Sequence, residues 1–124
     1  MDTVLDRTEI ILWVRRADGR WSDRTAWVVV LDGEAYVRSA FGQRSAWYRQ
    51  VLRHAEVEVE VAGARLTATL RPAEDPELVR RVSDAYRAKY GLNWLGPVDS
   101  MNAPEAAATT MRLTDVGHVA QLPA

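Results

Sequence analysis

The chain has 124 residues, of which 48% are apolar and 27% charged, proportions typical of one soluble globular domain. Cysteine is absent, which excludes disulfides and thiolate chemistry, and two histidines are too few for a typical zinc site. The formal net charge of -1 argues against a general nucleic-acid binder. The chain contains no run of 18 apolar residues, so no membrane span is predicted. The acidic N-terminal residues do not resemble a secretory signal. We therefore expect a cytoplasmic protein.

The first part of the chain is typical of antiparallel strands. Apolar, β-rich runs at Glu9–Arg16, Thr25–Leu31 and Glu34–Ser39 predict three strands. Asp32-Gly33, between the second and third runs, predicts a tight hairpin because both turn positions favour positive φ. The pairing about this turn predicts three cross-strand neighbours: Leu31 with Glu34, Val29 with Tyr36, and Trp27 with Arg38.

This hairpin is apolar on both faces, because Val28, Val30, Ala35 and Val37 alternate with the residues just paired. An antiparallel sheet with two apolar faces needs cover on both sides. A small barrel whose outside packs on helices or on a second subunit satisfies that requirement.

The remaining segments complete the barrel. Residues 44–54 have helical spacing, and residues 56–71 alternate as a second hairpin with Glu60 opposite Arg65. Asp75 and Pro76 begin a second helix that Gly91 ends. Residues 92–106 are predicted to be irregular or partly helical, residues 109–114 to form the last strand, and residues 115–124 to be a loosely held tail. We therefore predict one α+β, mainly β, domain over residues 1–124, with a core of about 8–114 that contains a six-stranded antiparallel barrel and two principal helices.

Arginines are concentrated in the first half of the chain. Residues 15–53 contain eight Arg against four acidic residues, whereas residues 54–124 have more acidic than basic residues. The end of the third strand at Arg38-Ser39, the loop with Arg44, and the helix beginning near Trp47 together indicate a phosphate cradle. A solvated, Arg-rich loop is the alternative. The five tryptophans are explained either by core packing or as walls for a planar ligand.

Residues 24–63 (RTAWVVVLDGEAYVRSAFGQRSAWYRQVLRHAEVEVEVAG) carry a family pattern: an apolar strand, a DG-type turn, a strand ending near Ser, a basic Gly-bearing loop, a Trp-Tyr helix start and an E-V-x-V hairpin. This pattern resembles the split-barrel flavin-binding superfamily, and more narrowly its deazaflavin-dependent nitroreductase-like families. Two later segments, DAYRAKYG (residues 84–91) and PEAAATTMRL (residues 104–113), resemble an uncharacterised bacterial domain-of-unknown-function branch of that superfamily, and the whole resemblance covers roughly residues 8–114. Three positions depart from the pattern: Ala46 replaces a Pro, Gln50 replaces an Asn, and Arg44 is the nearest substitute for a loop Lys.

The resemblance implies a six-stranded split barrel that forms a homodimer with its cofactor sites at the subunit interface. The cofactor would be FMN or a deazaflavin coenzyme. Its acidic tail would meet two basic loops, and its ring would lie against the second strand and the Trp-Tyr helix start. The residues implied are Arg16, Arg20, Arg24, Arg38, Ser39 and Arg44 for the tail, and Trp27, Val28, Trp47 and Tyr48 for the ring.

Two functions remain open at the level of sequence. In the first, the bound cofactor performs the chemistry and the protein is an oxidoreductase acting on a small organic substrate, which explains why no catalytic triad or metal motif is present. In the second, the same dimeric barrel is a non-catalytic binding module whose cleft holds another small anionic aromatic ligand, or nothing. Neither reading involves nucleic acid or a membrane as a partner.

Overall fold

The computed structural model describes residues 9–40, 42–61, 63–90 and 95–118. Its strands form a closed antiparallel barrel in the order β1-β2-β3-β6-β5-β4, which confirms the predicted six-stranded barrel. The strands are β1 (Glu9–Arg15), β2 (Trp21–Leu31), β3 (Glu34–Val37), β4 (Glu56–Val61), β5 (Ala64–Pro72) and β6 (Met111–His118). The helices are α1 (Ala46–Arg53), α2 (Pro76–Tyr90), α3 (Leu95–Asn102) and α4 (Pro104–Ala107), and a 3₁₀ turn (Gly42–Arg44) precedes α1.

The β2–β3 hairpin forms about the predicted Asp32-Gly33 turn, where both residues have positive φ, 55° and 80°. Leu31 pairs with Glu34, and Val29 pairs with Tyr36, as predicted. The ladder ends at Val28 and Val37. The predicted cross-strand pairing of Trp27 with Arg38 is therefore wrong, because the paired region stops one residue earlier on each strand.

The two apolar faces of this hairpin enter two different cores. Val28 and Val37 lie in the barrel interior, and α1 closes one end of the barrel with Trp47, Tyr48 and Val51. On the outer face, Val29 and Tyr36 pack against side chains of α2 and α3, among them Val82, Tyr86 and Met101. The cover that the two-sided pattern required on this outer face is supplied by helices of the same chain.

Helix α2 begins as predicted, since Asp75 Oδ2 accepts a hydrogen bond from the Leu78 backbone N–H at 3.0 Å. Two hydrogen bonds connect its C-terminal end to β2. The Tyr86 hydroxyl donates to the Trp27 carbonyl at 2.9 Å, and Lys89 Nζ donates to the Val28 carbonyl at 2.9 Å. The helix is thereby held across β2 where β3 stops. The predicted stop at Gly91 lies outside the described residues, as does Trp94, one of the five tryptophans.

Several boundaries differ from the prediction. β2 begins at Trp21, four residues before the apolar run, and β6 extends to His118, past the end of the predicted strand. Backbone pairing with β1 and β5 holds these polar extensions, although they lack a β-rich composition. Within residues 92–106, the described part forms α3 and most of α4, so the helical alternative of the prediction applies there.

Candidate functional site

The candidate site is a cavity beside the part of β2 that β3 does not cover. β2 has 11 residues and β3 has four, so β2 residues before Val28 run past the end of β3. The cavity has a volume of about 550 Å³, within the range of small-molecule sites. We call it the edge cavity. Its lining residues are Arg24, Thr25, Ala26, Trp27, Arg38, Ala40, Trp47, Ser100 and Met101.

Two tryptophans contribute apolar walls to the edge cavity. Trp27 lies on the outer face of β2, and its ring packs against the α2 side of the structure. Trp47, in the first turn of α1, is 5% exposed and meets the ring of Tyr48 edge to face, with centroids 6.5 Å apart. Because both indoles are anchored in packed cores, the cavity has rigid aromatic walls suited to a flat ligand.

Arg24 brings an unsatisfied donor to the edge cavity. It is paired in register with Leu12, on the β2 face whose next members, Ala26 and Val28, are buried in the barrel interior. Its Nε is buried and has no hydrogen-bond partner, and no carboxylate of the described residues lies within 4 Å of its guanidinium. Burial lowers the pKa of Arg24, and the negative charge of Asp23 opposes this shift. The arrangement favours a ligand acceptor at this position.

Arg38, just beyond the end of β3, is the second cation of the edge cavity and is only 2% exposed. Its guanidinium is held by groups from α2, α3 and the start of β6, and it lies 5.4 Å from the centroid of the Tyr86 ring. Nε donates to Thr110 Oγ1 at 2.8 Å, and Nη2 donates to the Val79 carbonyl at 2.8 Å. Nη1 donates to Ser83 Oγ at 2.9 Å, and to the Met101 carbonyl and Asn102 Oδ1, both at 3.1 Å.

All five acceptors around Arg38 are uncharged, and no carboxylate of the described residues approaches its guanidinium within 4 Å. Burial accordingly lowers the pKa of Arg38, while the nearby Tyr86 raises it. A buried cation surrounded by neutral dipoles still creates a positive potential in the cavity that it lines. Arg38 therefore ties the helical cover to the barrel and also makes the edge cavity attractive to anions.

The basic residues of the two predicted loops lie in three different places. Arg44 is exposed on the 3₁₀ turn and lines a recess of about 490 Å³ that shares Ala40 and Ser100 with the edge cavity. Arg16, on the β1–β2 turn, lines a separate recess of about 260 Å³. Arg20, on the same turn, has an 80% exposed side chain whose Nε is 3.9 Å from Asp18 Oδ2. Arg44 is thus next to the edge cavity, whereas Arg16 and Arg20 do not line it.

Three other predicted residues are buried near the edge cavity without lining it. Val28 is in the barrel interior. Ser39 is fully buried; its backbone N–H donates to Thr109 Oγ1 at 2.8 Å, and its hydroxyl oxygen has no hydrogen-bond partner. Tyr48 is 7% exposed, and burial, assisted by the charge of Glu74, raises its pKa, although a hydrogen bond from Gln43 lowers it. The structure thus brings Arg24, Trp27, Arg38 and Trp47 together around one cavity.

Five lining residues were not predicted from the sequence: Thr25, Ala26, Ala40, Ser100 and Met101. Thr25 and Ala26 carried a usable signal, since they lie between two predicted residues on one strand. Ser100 and Met101 belong to α3, whose position against the barrel has no signature in the sequence. In the part of the chain that the structure describes, the edge cavity has no carboxylate or imidazole in its lining, and no cluster of His, Asp and Glu is arranged to hold a metal ion.

A family comparison identifies the chain's relatives. The family described as an uncharacterised protein conserved in bacteria (DUF2255) matches residues 1–113. The chain belongs to the DUF2255 family. No curated protein matches this DUF2255 chain in sequence. Among the helices that the structure describes, none combines the length and apolar character needed to cross a membrane.

Solved structures show which fold the DUF2255 chain has. An F420-H2 dependent reductase (FDR-A) is similar over 89% of this chain and 96% of its own, at 18% identity and a TM-score of 0.63. HutZ, a heme storage protein from Vibrio cholerae, is similar over 93% and 84%, at 17% identity and a TM-score of 0.64. A putative pyridoxamine 5'-phosphate oxidase from Listeria innocua is similar over 96% and 94%, at 14% identity and a TM-score of 0.63. These similarities confirm the predicted split-barrel fold.

Proposed function

We propose that the edge cavity binds FMN or a deazaflavin coenzyme, and that the loaded protein is an oxidoreductase acting on a small organic substrate. One observation carries this proposal: two guanidinium groups and two indoles line a cavity whose described lining has no carboxylate. Such a lining suits a flat aromatic molecule that carries negative charge. The reductase and oxidase names among the structural neighbours support the same class of ligand.

The residues present fit a coenzyme of this kind. Its flat ring needs apolar walls, which Trp27, Trp47 and Ala26 provide. Its polar groups need donors, and Arg24 presents a buried Nε that lacks an acceptor. Its anionic tail needs a cation that is open to water, and Arg44 in the adjoining recess supplies one, although Glu105 lines the same recess. The fit therefore extends over both cavities.

The chemistry divides between coenzyme and protein. A bound flavin or deazaflavin supplies hydride transfer, so the protein does not need an acid, base or metal of its own at this position. The indoles of Trp27 and Trp47 would orient the ring and exclude water from one side. Arg38 would hold a fixed positive charge in place without moving, because five hydrogen bonds lock its guanidinium.

The proposal includes a homodimer with the coenzyme at the subunit boundary, as the sequence resemblance implies. Arg16 and Arg20 lie on the β1–β2 turn, outside the edge cavity of their own chain. They would contact the coenzyme only if a second copy brought its turn to this cavity. Light scattering coupled to size-exclusion chromatography should give twice the chain mass of 13.9 kDa. A mass of one chain in the presence of saturating coenzyme would remove the dimer, together with Arg16 and Arg20, from the proposal.

A non-catalytic binding module is the second candidate, because one solved structure of similar fold has the name of a storage protein and not that of a reductase or oxidase. The ligand would then be another anionic aromatic molecule. HutZ, a heme storage protein of similar fold, is an example of such a neighbour. Oxidation of a reduced flavin or deazaflavin by small organic acceptors, accelerated by the protein, distinguishes the oxidoreductase from the module.

Binding is tested by titrating the protein with FMN and with a deazaflavin coenzyme while recording tryptophan fluorescence. We expect saturable quenching at or below tens of micromolar, and weaker binding for Trp27→Leu. Trp13→Leu is the matched control, because Trp13 lies on β1 and contacts Glu60 and Arg65 away from the edge cavity. No saturable binding of either coenzyme to the wild-type protein would overturn the proposed function.

A further inference from the structure

We infer that Arg24 binds the polar edge of the coenzyme ring and that the anionic tail is bound elsewhere, by Arg44. The inference rests on the proposed function and makes it more specific. The sequence resemblance grouped Arg24 with Arg16 and Arg20 as contacts of the tail. The structure separates them, because Arg24 lines the edge cavity while Arg16 lines a recess at the β1–β2 turn.

The position of Arg24 on β2 determines which part of a ligand it can meet. Its strand neighbours on the same face, Ala26 and Val28, are buried in the barrel interior, and its register partner Leu12 is fully buried. The Arg24 side chain therefore leaves the strand on the interior side, where its Nε is shielded from water. A phosphate or carboxylate is strongly hydrated and is expensive to bury, whereas a ring carbonyl or imide is a neutral acceptor that tolerates burial.

The donor on Arg24 is also unused. Its Nε has no hydrogen-bond partner, although burial without an acceptor is unfavourable for an N–H group. Asp23 is adjacent in the chain, yet no carboxylate of the described residues comes within 4 Å of the Arg24 guanidinium. A ligand acceptor would satisfy this donor. Trp27 and Trp47 line the same cavity and would hold the ring there.

The anionic tail would bind in the recess that contains Arg44, next to the edge cavity. The recess containing Arg44 adjoins the edge cavity through Ala40 and Ser100, which line both. Arg44 is exposed. Glu105 also lines this recess, but its carboxylate is not within 4 Å of the Arg44 guanidinium. A tail that leaves the ring past Ala40 reaches a hydrated cation, which suits a charged group. The two arginines thus recognise different ends of one ligand.

Ligands with and without the tail test this division directly. Riboflavin has the ring of FMN but no phosphate, and a deazaflavin stripped of its phosphorylated tail forms the equivalent pair. Arg24→Gln should weaken riboflavin and FMN by the same factor, roughly ten- to a hundredfold. Arg44→Gln should weaken FMN and leave riboflavin unchanged. Dissociation constants are measured by isothermal titration calorimetry, with circular dichroism as the check on folding.

Each result decides one question. If Arg24→Gln weakens FMN and leaves riboflavin unchanged, Arg24 binds the tail and the inference is wrong. If it weakens neither ligand, Arg24 is outside the site. Arg24→Lys keeps the charge but lacks the Nε donor, so we expect it to lose riboflavin affinity as well; full affinity would overturn the assignment to Nε, and this variant replaces Arg24→Gln if that protein does not fold. If the wild-type protein binds none of the flavins or deazaflavins, the proposed function itself has failed.

Discussion

Arg38 allows the energetics of the fold to be tested separately from ligand binding. Replacing Arg38 with Met keeps an unbranched apolar side chain but removes every donor of the guanidinium. The carbonyls of Val79 and Met101 then lose a hydrogen bond inside the protein. Losing a hydrogen bond from a charged donor costs about 1.5–3 kcal/mol. Removing a buried cation that lacks a counter-charge offsets part of this loss, so we expect the free energy of unfolding to fall by about 2–4 kcal/mol.

Urea denaturation followed by circular dichroism measures this change, with the midpoint and the slope both determined. Arg44→Met is the matched control, because Arg44 is exposed and we expect a change of about 0.5 kcal/mol or less. Arg38→Lys should also be destabilised, since one ammonium group cannot reach acceptors on α2, α3 and β6 together. If the free energy of unfolding of Arg38→Met is within about 0.5 kcal/mol of that of the wild-type protein, the five-bond network does not stabilise the fold.

Two further predictions concern the fold around the site. Gly42→Ala should destabilise the protein by about 1 kcal/mol more than Gly19→Ala. Both positions have positive φ, but only a Cβ added at Gly42 would meet a neighbour, the Cβ of Glu105 at 3.0 Å. Equal losses of unfolding free energy in urea denaturation would contradict this. Tyr48 has a raised pKa in the folded state, so its contribution is complete below pH about 10 and is lost as pH rises through the folded-state pKa. Urea midpoints between pH about 8 and 11 should therefore fall more steeply for the wild-type protein than for Tyr48→Phe, and parallel profiles would show that Tyr48 ionises equally in both states.

The sequence was most informative where local chemistry decides structure. The Asp32-Gly33 turn sets its own hairpin register, and the alternation over residues 56–71 sets that of β4 and β5, where Glu60 pairs with Arg65 as predicted. Asp75 and Pro76 begin α2 because capping depends on a few consecutive residues. The extent of β2 and β6 was not predictable from composition, since backbone pairing with neighbouring strands holds their polar ends.

The site was predictable only in part. Trp27, Arg24 and Trp47 could be grouped because a family pattern connects them, and the structure places them around one cavity. The buried state of Arg38 could not be foreseen, because its hydrogen-bond partners are 41–72 residues away along the chain. Met101 could not be predicted either, because nothing in the sequence around it indicates which surface α3 will cover.

The most direct test of the central claim is a crystal structure of the protein grown with saturating FMN or deazaflavin coenzyme. We expect the ring inside the edge cavity, against Trp27 and Trp47 and within hydrogen-bond distance of Arg24 Nε. A ring bound at another surface, with the edge cavity holding only solvent, would contradict it.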